Sequence, residues 1–415
     1  MTAVEYRDAA QNVLYSLGCA NDTAGMITSK VIRTATFTNE NGYAYDGLGR
    51  LVSHRSVTTN LQSSASSLQS LSYDLAGNRT QMVVNGSTAN YTLGVGDRLA
   101  TWTGGGLCEY DAAGCVTNLV HPGGRTVRLT WDGQYRLTAA YTNGVLAERY
   151  GYDALGRRAW TAGATETNRL VYDGPHVVAD LDATGAVLRT YAYGPGIDDV
   201  LSMTVRGAEA TNTYCYIKDH QNTVLALVNA AGAVVESYDY DAWGNTLAVR
   251  DSAGQPIANG RSALGNRFTF QGREISWATG LINFRARWYD PVTGRWMSKD
   301  PIGIDGGLNQ YVFCGNESQA AIDPSGRCHK KAARTGAEFW PVALSAPGGR
   351  PSAMFVREVL KADTNLLGRI RSNWKRKGNE VGFDIGYTAQ RGAYADMWPP
   401  FPGNTTDEVG TDKPF

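Results

Sequence analysis

The chain has 415 residues, with 48 glycines, 22 tyrosines and equal numbers, 39 each, of basic and acidic side chains. Glycine is well above the usual ~7% of globular proteins, and a sequence rich in glycine and tyrosine is typical of aromatic strands joined by tight turns, which excludes a helical bundle for most of the chain. The zero net charge supplies no overall field to attract nucleic acid or an anionic membrane, and no apolar run approaches the ~18 residues of a membrane span.

A repeated unit begins near the N-terminus and continues to about residue 250. The sequence YAYDGLGRL at 43–51 returns in related form at 71–79, 108–116, 150–158 and 238–246. With the second aromatic residue as a marker, the copies stand at positions 45, 73, 91, 110, 131, 152, 172, 193, 216 and 240. One unit therefore takes about 21 residues, a period typical of repeat architectures.

Each unit is predicted to be a strand, a turn and a second strand. Aromatic residues at alternating positions, such as Tyr43 and Tyr45, project to one face of a strand. Asp-x-x-Gly then predicts a tight turn, because Asp accepts backbone N–H bonds and Gly tolerates a positive φ. The predicted turns are Asp46/Gly49, Asp74/Gly77, Asp111/Gly114, Asp153/Gly156, Asp182/Gly185, Asp241/Gly244 and Asp251/Gly254. A hairpin of this size cannot bury its apolar face alone, so we expect side-by-side addition into one long, twisted antiparallel sheet.

This unit resembles the YD repeat of RHS-repeat proteins, which include bacterial polymorphic-toxin carriers, toxin-complex C subunits and, more distantly, animal teneurins. The segment GLINFRARWYDPVTGRWMSKDPIGIDGGLNQYVFCGN at 280–316, followed by IDPSG at 322–326, is similar to the RHS repeat-associated core. In that family the core closes the repeat region and precedes a variable C-terminal domain. The resemblance implies an all-β spiral of hairpins that forms a partial shell or barrel, followed by a small, mainly helical or irregular C-terminal segment.

The resemblance also divides the chain. We predict a lead-in of degenerate repeat at 1–40, repeats at 41–250, the core at 251–327 and a variable C-terminal domain at 328–415. Composition changes at the last boundary, since residues 327–415 carry 14 basic and 9 acidic side chains and the preceding chain is correspondingly acidic.

The core resembles an intramolecular aspartyl protease that uses two Asp and one Arg to cut the chain after an Asp-Pro-x-Gly-apolar segment. The matching residues are Asp300 in WMSKDPIG, Asp323 in IDPSG and Arg287 in RARWYD. Two adjacent carboxyl groups do not both ionise readily, so one can act as an acid while the other activates water. An arginine would orient them or polarise the scissile carbonyl.

Alternative interpretations apply to the same residues. Asp300 and Asp323 each precede Pro, and Asp-Pro-x-Gly forms turns without any catalytic role. Asp290, in YDPVTG, is interpreted as a turn or supporting residue. Arg285 is an alternative to Arg287, because strand alternation would place both on one face.

The predicted cut lies between Arg327 and Cys328. The family usually has an apolar residue at the first of these positions, and a buried, unpaired guanidinium is costly. Arg327 is therefore the one departure from the pattern that weakens the prediction of self-cleavage.

The C-terminal segment shows no enzymatic motif. Apolar spacing predicts one broken helix or two short ones over 351–378, and its basic residues are interpreted as cations near a helix C-terminus rather than as nucleic-acid contacts. The six cysteines form no C-x-x-C pair, and Cys108 and Cys115 are predicted to be buried thiols. We predict no cofactor and no metal.

Two functions follow as hypotheses. In the first, the shell encloses residues 328–415 as a toxin cargo, with a cognate immunity protein and a secretion-system partner as further partners. In the second, a non-enzymatic cell-surface repeat protein, or an inactive fragment of a larger RHS protein, binds carbohydrate or other proteins. The family resemblance implies a secreted or cell-surface location, although the first residues contain no signal peptide.

Overall fold

The computed structural model describes residues 2–8, 10–60, 64–164, 166–207, 210–327 and 330–331. The chain divides into the units Met1–Pro351 and Ser352–Phe415, and all described residues belong to the first. The helical segment predicted at 351–378 lies outside the described residues.

Twenty-three strands of the described chain form one sheet. They are β1 (Thr2–Arg7), β2 (Val13–Asn21), β3 (Ile27–Arg33), β4 (Phe37–Tyr45), β5 (Leu51–Asn60), β6 (Ser64–Tyr73), β7 (Arg79–Val84), β8 (Ser87–Leu93), β9 (Leu99–Trp102), β10 (Gly106–Tyr110), β11 (Val116–Val120), β12 (Thr126–Trp131), β13 (Leu137–Thr142), β14 (Val145–Tyr152), β15 (Arg158–Gly163), β16 (Thr167–Asp173), β17 (His176–Leu181), β18 (Val187–Tyr193), β19 (Val200–Arg206), β20 (Thr211–Lys218), β21 (Val224–Asn229), β22 (Val234–Tyr240) and β23 (Thr246–Asp251). The predicted all-β fold is confirmed.

Each strand pairs with the next one in an antiparallel meander. Successive turns of a meander lie on opposite edges of the sheet, so the turns after even-numbered strands all lie along one edge. We call this edge the core edge. It carries the Asp-x-x-Gly turns of the repeated unit that follow β4, β6, β10, β14 and β22.

The predicted turns form as expected. In all seven, the Gly N–H donates to the Asp carbonyl oxygen at 2.9–3.2 Å. The same turn also begins at residues that the pattern did not select, namely Asp22, His121, Asp132, Asp219 and Asn229. Asp22 shows that the turn of the unit already occurs in the N-terminal lead-in.

The two residues that follow the turn in the repeated unit, an arginine and an apolar residue, also stabilise the sheet. Arg157, which follows the turn glycine, donates from Nε to Oδ2 of Asp153 at 2.8 Å, and its guanidinium lies 4.6 Å from the ring centre of Tyr172 in the next hairpin. Arg50 and Arg136 repeat this arrangement. The apolar residue that follows is fully buried, as at Leu51 and Leu137.

The second aromatic residue joins one hairpin to the previous one. Its strand carries a β-bulge at that position, and its hydroxyl donates to the carbonyl of the first residue after the previous core-edge turn. The pairs are Tyr45 with Ile27, Tyr73 with Leu51, Tyr152 with Leu137, Tyr172 with Arg158 and Tyr193 with Val177, at 2.6–3.0 Å.

We expect Tyr152→Phe to lower the free energy of unfolding by about 1 kcal/mol, because it removes a partly buried hydrogen bond but keeps the ring. Tyr135→Phe is the matched control, since the Tyr135 side chain is exposed, and it is expected to change stability by less than ~0.5 kcal/mol. Urea unfolding followed by tryptophan fluorescence measures both. Equal losses in the two variants would contradict the role of the hydroxyl.

The segment predicted to be the core, residues 251–327 and here called the core segment, begins at the last residue of β23 and packs against this sheet within the same unit. It contains β24 (Glu274–Ile275), β25 (Ile282–Phe284), β26 (Arg287–Asp290), β27 (Arg295–Trp296), β28 (Ala321–Ile322) and 3₁₀ helices at Phe270–Gly272, Gly303–Gly306 and Cys314–Asn316. Beyond residue 327, β29 (Lys330–Lys331) pairs antiparallel with β28. Aromatic side chains fill the interior of the core segment, where Phe313 stacks on Tyr289 with 4.1 Å between the ring centres.

The core segment contacts turn after turn along the core edge. The contacts are Gly49 with Glu317, Gly77 with Asn316, Asp97 with Arg295, Gly114 with Tyr311, Pro175 and Asp198 with Arg285, and His220 and Ala242 with Gln319. Because these turns follow strands from β4 to β22, the core segment is held by most of the sheet.

Cys108 and Cys115 are buried and form no disulfide, as predicted. The described chain contains no helix with the length and apolar character needed to span a bilayer.

Candidate functional site

The candidate site is built on the hairpin of β25 and β26. Phe284 pairs with Arg287, which leaves a two-residue turn of Arg285 and Ala286. Arg285 has a φ of +64°, so the turn reverses the chain sharply. This reversal sends Arg285 and Arg287 to different neighbours, whereas strand alternation had predicted a shared face.

Arg287 lies between the two predicted catalytic aspartates. Its Nη2 is 2.9 Å from Oδ2 of Asp300 and 3.2 Å from Oδ2 of Asp323. The guanidinium stacks on Trp296, with its central carbon 4.0 Å from the ring centre. All three charged side chains are buried, so one guanidinium group holds two carboxyl groups together away from solvent.

The two carboxyl groups differ in their other hydrogen bonds. Oδ1 of Asp323 accepts the N–H groups of Gly326 at 2.9 Å and Arg327 at 3.2 Å, and the hydroxyl of Ser325 at 3.2 Å. Oδ1 of Asp300 accepts the N–H of Ile302 at 3.1 Å. Hydrogen bonds donated to a carboxylate favour its ionised form, so Asp323 is better suited to carry the charge.

Burial raises the pKa of both carboxyl groups above the ordinary value for aspartate, and the Arg287 guanidinium opposes this rise. For Asp300, the nearby carboxyl of Asp323 raises the pKa further. One cation facing two carboxyl groups is neutralised when the pair retains a single proton. The arrangement can therefore supply one general acid and one general base.

The backbone before the predicted cut is held against this hairpin. Its three consecutive carbonyls, of Pro324, Ser325 and Gly326, accept hydrogen bonds from the Arg285 side chain, the Ala286 amide and Nε of Arg287. Gly326 has a φ of +69°, and a Cβ atom on it would lie 2.2 Å from the carbonyl oxygen of Phe284. Only glycine fits here, which explains the last residue of the Asp-Pro-x-Gly sequence.

The carbonyl of Arg327, the first residue of the predicted scissile bond, lies near Asp300. A Cβ atom on Gly306 would be 2.5 Å from Oδ2 of Asp300 and 3.3 Å from the carbonyl oxygen of Arg327. Both oxygen atoms therefore lie beside the same glycine. Cys328 lies outside the described residues, and Lys330 and Lys331 of β29 pair with Ile322 and Ala321 of β28.

Arg285 is separated from the aspartate pair. Its Nη2 is 2.6 Å from Oδ1 of Asp198, and its Nη1 is 3.0 Å from Oδ2 of the same side chain, so the ion pair is bidentate. Of the two arginine candidates, Arg287 alone contacts Asp300 and Asp323, while Arg285 contacts the sheet.

Asp290 also lies apart from the pair. Both of its carboxylate oxygens are 3.3 Å from Nε2 of His121, and Oδ2 accepts the Thr293 hydroxyl at 2.7 Å. It closes its own turn and joins β26 to the sheet. Within the described residues, no group of three or more His, Cys, Asp or Glu side chains could hold a metal ion.

Sequence reasoning missed Trp296, Gly306 and Asp198, which support the site without carrying its chemistry. Trp296 is the first residue of the quoted WMSKDPIG sequence, and a tryptophan close to a predicted catalytic arginine could have been considered as its stacking partner. The roles of Gly306 and Asp198 depend on contacts between distant parts of the chain, and no local signal indicates them.

Comparison with known proteins gives a consistent result. A family model described as Teneurin YD-shell matches residues 3–310. Similar proteins include double-stranded DNA deaminase toxin A of Burkholderia cenocepacia, 28% identical over 74% of this chain and 22% of that protein, and toxin protein Tse5 of Pseudomonas aeruginosa, 27% identical over 77% of this chain and 29% of that protein. The tRNA3(Ser)-specific nuclease WapA of Bacillus spizizenii is 27% identical over 70% of this chain and 11% of that protein. The chain thus spans less than a third of the length of these relatives.

Solved structures share the fold. The crystal structure of TcdB2-TccC3 is similar with a TM-score of 0.61 and 19% identity, covering 78% of this chain and 18% of that one. The Photorhabdus luminescens Tc holotoxin pore gives a TM-score of 0.62 and 19% identity over 81% of this chain and 18% of that one. At this level of identity the likeness concerns the fold.

Proposed function

Because the chain belongs to the teneurin YD-shell family, we propose that its sheet carries residues 328–415 as an effector and releases them by cutting the Arg327–Cys328 bond. Its repeat shell is of the kind found in polymorphic-toxin carriers. The proposal adds the self-cleavage and assigns Asp300, Asp323 and Arg287 as its catalytic residues.

The single observation that carries the proposal is the buried Arg287 guanidinium between two carboxyl groups, directly beside the backbone of the Asp323–Arg327 loop. A turn-forming role for the two Asp-Pro sequences would require only their local backbone hydrogen bonds. It does not explain why two turns that are distant in sequence share one buried arginine, an arrangement that costs desolvation energy.

The reaction would be a hydrolysis with water as the co-reactant. Asp323, as the carboxylate, takes a proton from water while the water oxygen bonds to the carbonyl carbon of Arg327. Asp300, in its protonated form, gives its proton to the carbonyl oxygen. When the intermediate collapses, the nitrogen of Cys328 takes the proton held by Asp323, the C–N bond breaks, and one hydroxyl of the intermediate returns a proton to Asp300. This leaves a carboxyl group on Arg327 and an amine on Cys328, and both aspartates regain their starting protonation states.

Arg327 is compatible with this reaction because its side chain is only half-buried. Its charge also lies close enough to lower the pKa of Asp300, although burial is the larger influence and raises that pKa. A guanidinium that retains solvent and faces a carboxyl group avoids most of the cost of burying an unpaired charge.

The cargo and its partners extend the proposal. The relatives that share the shell are named for different activities, a DNA deaminase and a tRNA-specific nuclease, which is the pattern of one carrier with exchangeable C-terminal effectors. We propose the boundaries 1–40, 41–250, 251–327 and 328–415 for lead-in, repeats, core and effector. Export to a competing cell would then require a secretion partner, and protection of the producer would require an immunity protein.

Intact-mass measurement of the purified chain under denaturing conditions tests the proposal. We expect two pieces of 327 and 88 residues, the smaller one beginning at Cys328. Co-elution of both pieces under native conditions is the result expected of a carrier that retains its effector. A single 44.8 kDa species after prolonged incubation would overturn self-cleavage.

A further inference from the structure

The loop that precedes the predicted cut is held by more than the catalytic residues. The carbonyl of Pro324 accepts a hydrogen bond from Nη1 of Arg285. The neighbouring carbonyls of Ser325 and Gly326 are held by residues 286 and 287. The side chain of Arg285 is therefore the first of three consecutive anchors that fix the path of the backbone toward Arg327.

Arg285 is itself fixed by the repeat sheet. Asp198 lies in the core-edge turn between β18 and β19 and forms the bidentate ion pair with Arg285, at 2.6 and 3.0 Å. A second sheet contact, from Nη2 of Arg285 to the carbonyl of Pro175 at 3.3 Å, comes from the turn between β16 and β17. Within the described residues, the ion-pair partner of Arg285 comes from the sheet, and the nearest core carboxylate, Glu274, acts on it only through its charge.

Asp198 also separates two cations. Its Oδ1 accepts a hydrogen bond from Nη1 of Arg273 at 2.7 Å, so both arginines share one buried carboxylate. Without that charge, Arg285 would lose its ion-pair partner, Glu274 would be the remaining nearby carboxylate for both guanidinium groups, and Arg285 would be repelled by Arg273. The core could then still pack on the sheet through its aromatic residues, but its hold on Pro324 would be lost.

We propose that Asp198, a residue of the repeat sheet, is a positioning residue for cleavage after Arg327, which it controls through Arg285 and the Pro324 carbonyl. This inference rests on the proposed self-cleavage and adds a condition to it. The cut becomes efficient only after the turn between β18 and β19 has folded against the core, so the covalent bond between shell and cargo is broken only when the shell is assembled. A small displacement of a scissile bond costs up to ~100-fold in rate, which is enough for such control.

The first test measures the rate of cleavage after refolding, by intact mass at successive times. Asp198→Asn is expected to slow cleavage by about tenfold or more. Asp198→Glu keeps the carboxylate and is expected to cleave faster than Asp198→Asn. Asp182→Asn is the matched control, because Asp182 is a turn residue on the opposite edge whose carboxylate bonds within its own turn. An Asp198→Asn variant that cleaves at the wild-type rate would overturn the inference.

The second test separates this inference from the proposed function. In an Asp300→Asn chain, hydrogen exchange of a peptide covering 323–327 reports the amides of Gly326 and Arg327, which donate to Asp323. Adding Asp198→Asn should accelerate their exchange about tenfold while peptides from β18 and β19 keep their wild-type protection. Unchanged exchange of 323–327 would overturn the positioning role, and equal acceleration throughout the sheet would show a merely structural one. If the wild-type chain is never cut, the proposed function fails, yet this measurement still decides whether Asp198 fixes the loop.

Discussion

An Asp300→Asn variant is expected to remain a single 415-residue chain under conditions in which the wild-type chain separates into pieces of 327 and 88 residues. The amide keeps the size of the side chain and one acceptor oxygen for the Ile302 N–H, but it cannot give a proton to the carbonyl of Arg327. Loss of a general acid reduces rates by about 10²–10⁴-fold, so cleavage that is complete in an hour would take days or longer.

Asp305→Asn is the control for that experiment. Asp305 lies in the adjacent 3₁₀ helix at Gly303–Gly306, and its exposed carboxylate makes no contact with the Arg287 cluster, so this variant should be cut at the wild-type rate. Asp323→Asn should also stay intact, and thermal melting should show all three variants folded. Cleavage of Asp300→Asn at the wild-type rate would remove Asp300 from the mechanism, and the two Asp-Pro sequences would then be turns alone.

The repeat could be predicted from sequence because its signals are local. Asp-x-x-Gly forms the same turn wherever it occurs, since the bond from the Gly N–H to the Asp carbonyl needs only four residues. In two degenerate copies, the predicted position of the second aromatic residue was wrong by two residues. The marker was placed at Tyr91 and Tyr216, whereas the bulges precede Leu93 and Lys218. In these units the bulge position has lost its aromatic residue, so the pattern matched the first aromatic instead of the second.

The site could be predicted only in part, because its geometry depends on long-range packing. The pairing of Asp300 and Asp323 with an arginine followed from family resemblance, but strand alternation could not distinguish Arg285 from Arg287. The positive φ of Arg285 takes it out of the strand, and its partner, Asp198, is 87 residues away along the chain. His121, which contacts Asp290, is 169 residues away from it, and neither contact leaves a signal in the surrounding sequence.

The network that fixes the core to the sheet also makes a prediction about stability. Glu274 of β24 is buried, and its Oε2 is 2.6 Å from both Nη2 of Arg158 and Nε of Arg267. Arg267 in turn forms a bidentate ion pair with Asp180 of β17. Burial alone would raise the pKa of Glu274, but the three nearby guanidinium groups of Arg158, Arg267 and Arg273 outweigh it and lower the pKa to about 2.

We expect Glu274→Gln to reduce the free energy of unfolding by about 3–5 kcal/mol at pH 7, because it leaves the buried Arg158 guanidinium without its ion-pair partner and Arg267 with Asp180 alone. The sign of the pH dependence follows from the lowered pKa. Glu274 is ionised in both states above its ordinary pKa of 4.5, so its stabilisation is fully present there. As the pH falls from 4.5 toward 2, the unfolded chain binds the proton first, and about 3 kcal/mol of stabilisation is lost.

Urea unfolding at pH 7 and at pH 3 measures this effect, with all chains in the Asp300→Asn background so that each remains uncut. The difference in unfolding free energy between the Asp300→Asn parent and the same chain with Glu274→Gln should be largest at pH 7. It should narrow at pH 3, where part of the contribution of Glu274 has been lost. Glu40→Gln, at an exposed position, should differ from wild type by less than ~0.5 kcal/mol at both values. A Glu274→Gln difference that is equally large at pH 7 and pH 3 would contradict the lowered pKa of Glu274, because Gln keeps the aliphatic portion of the side chain and lacks only the group that titrates.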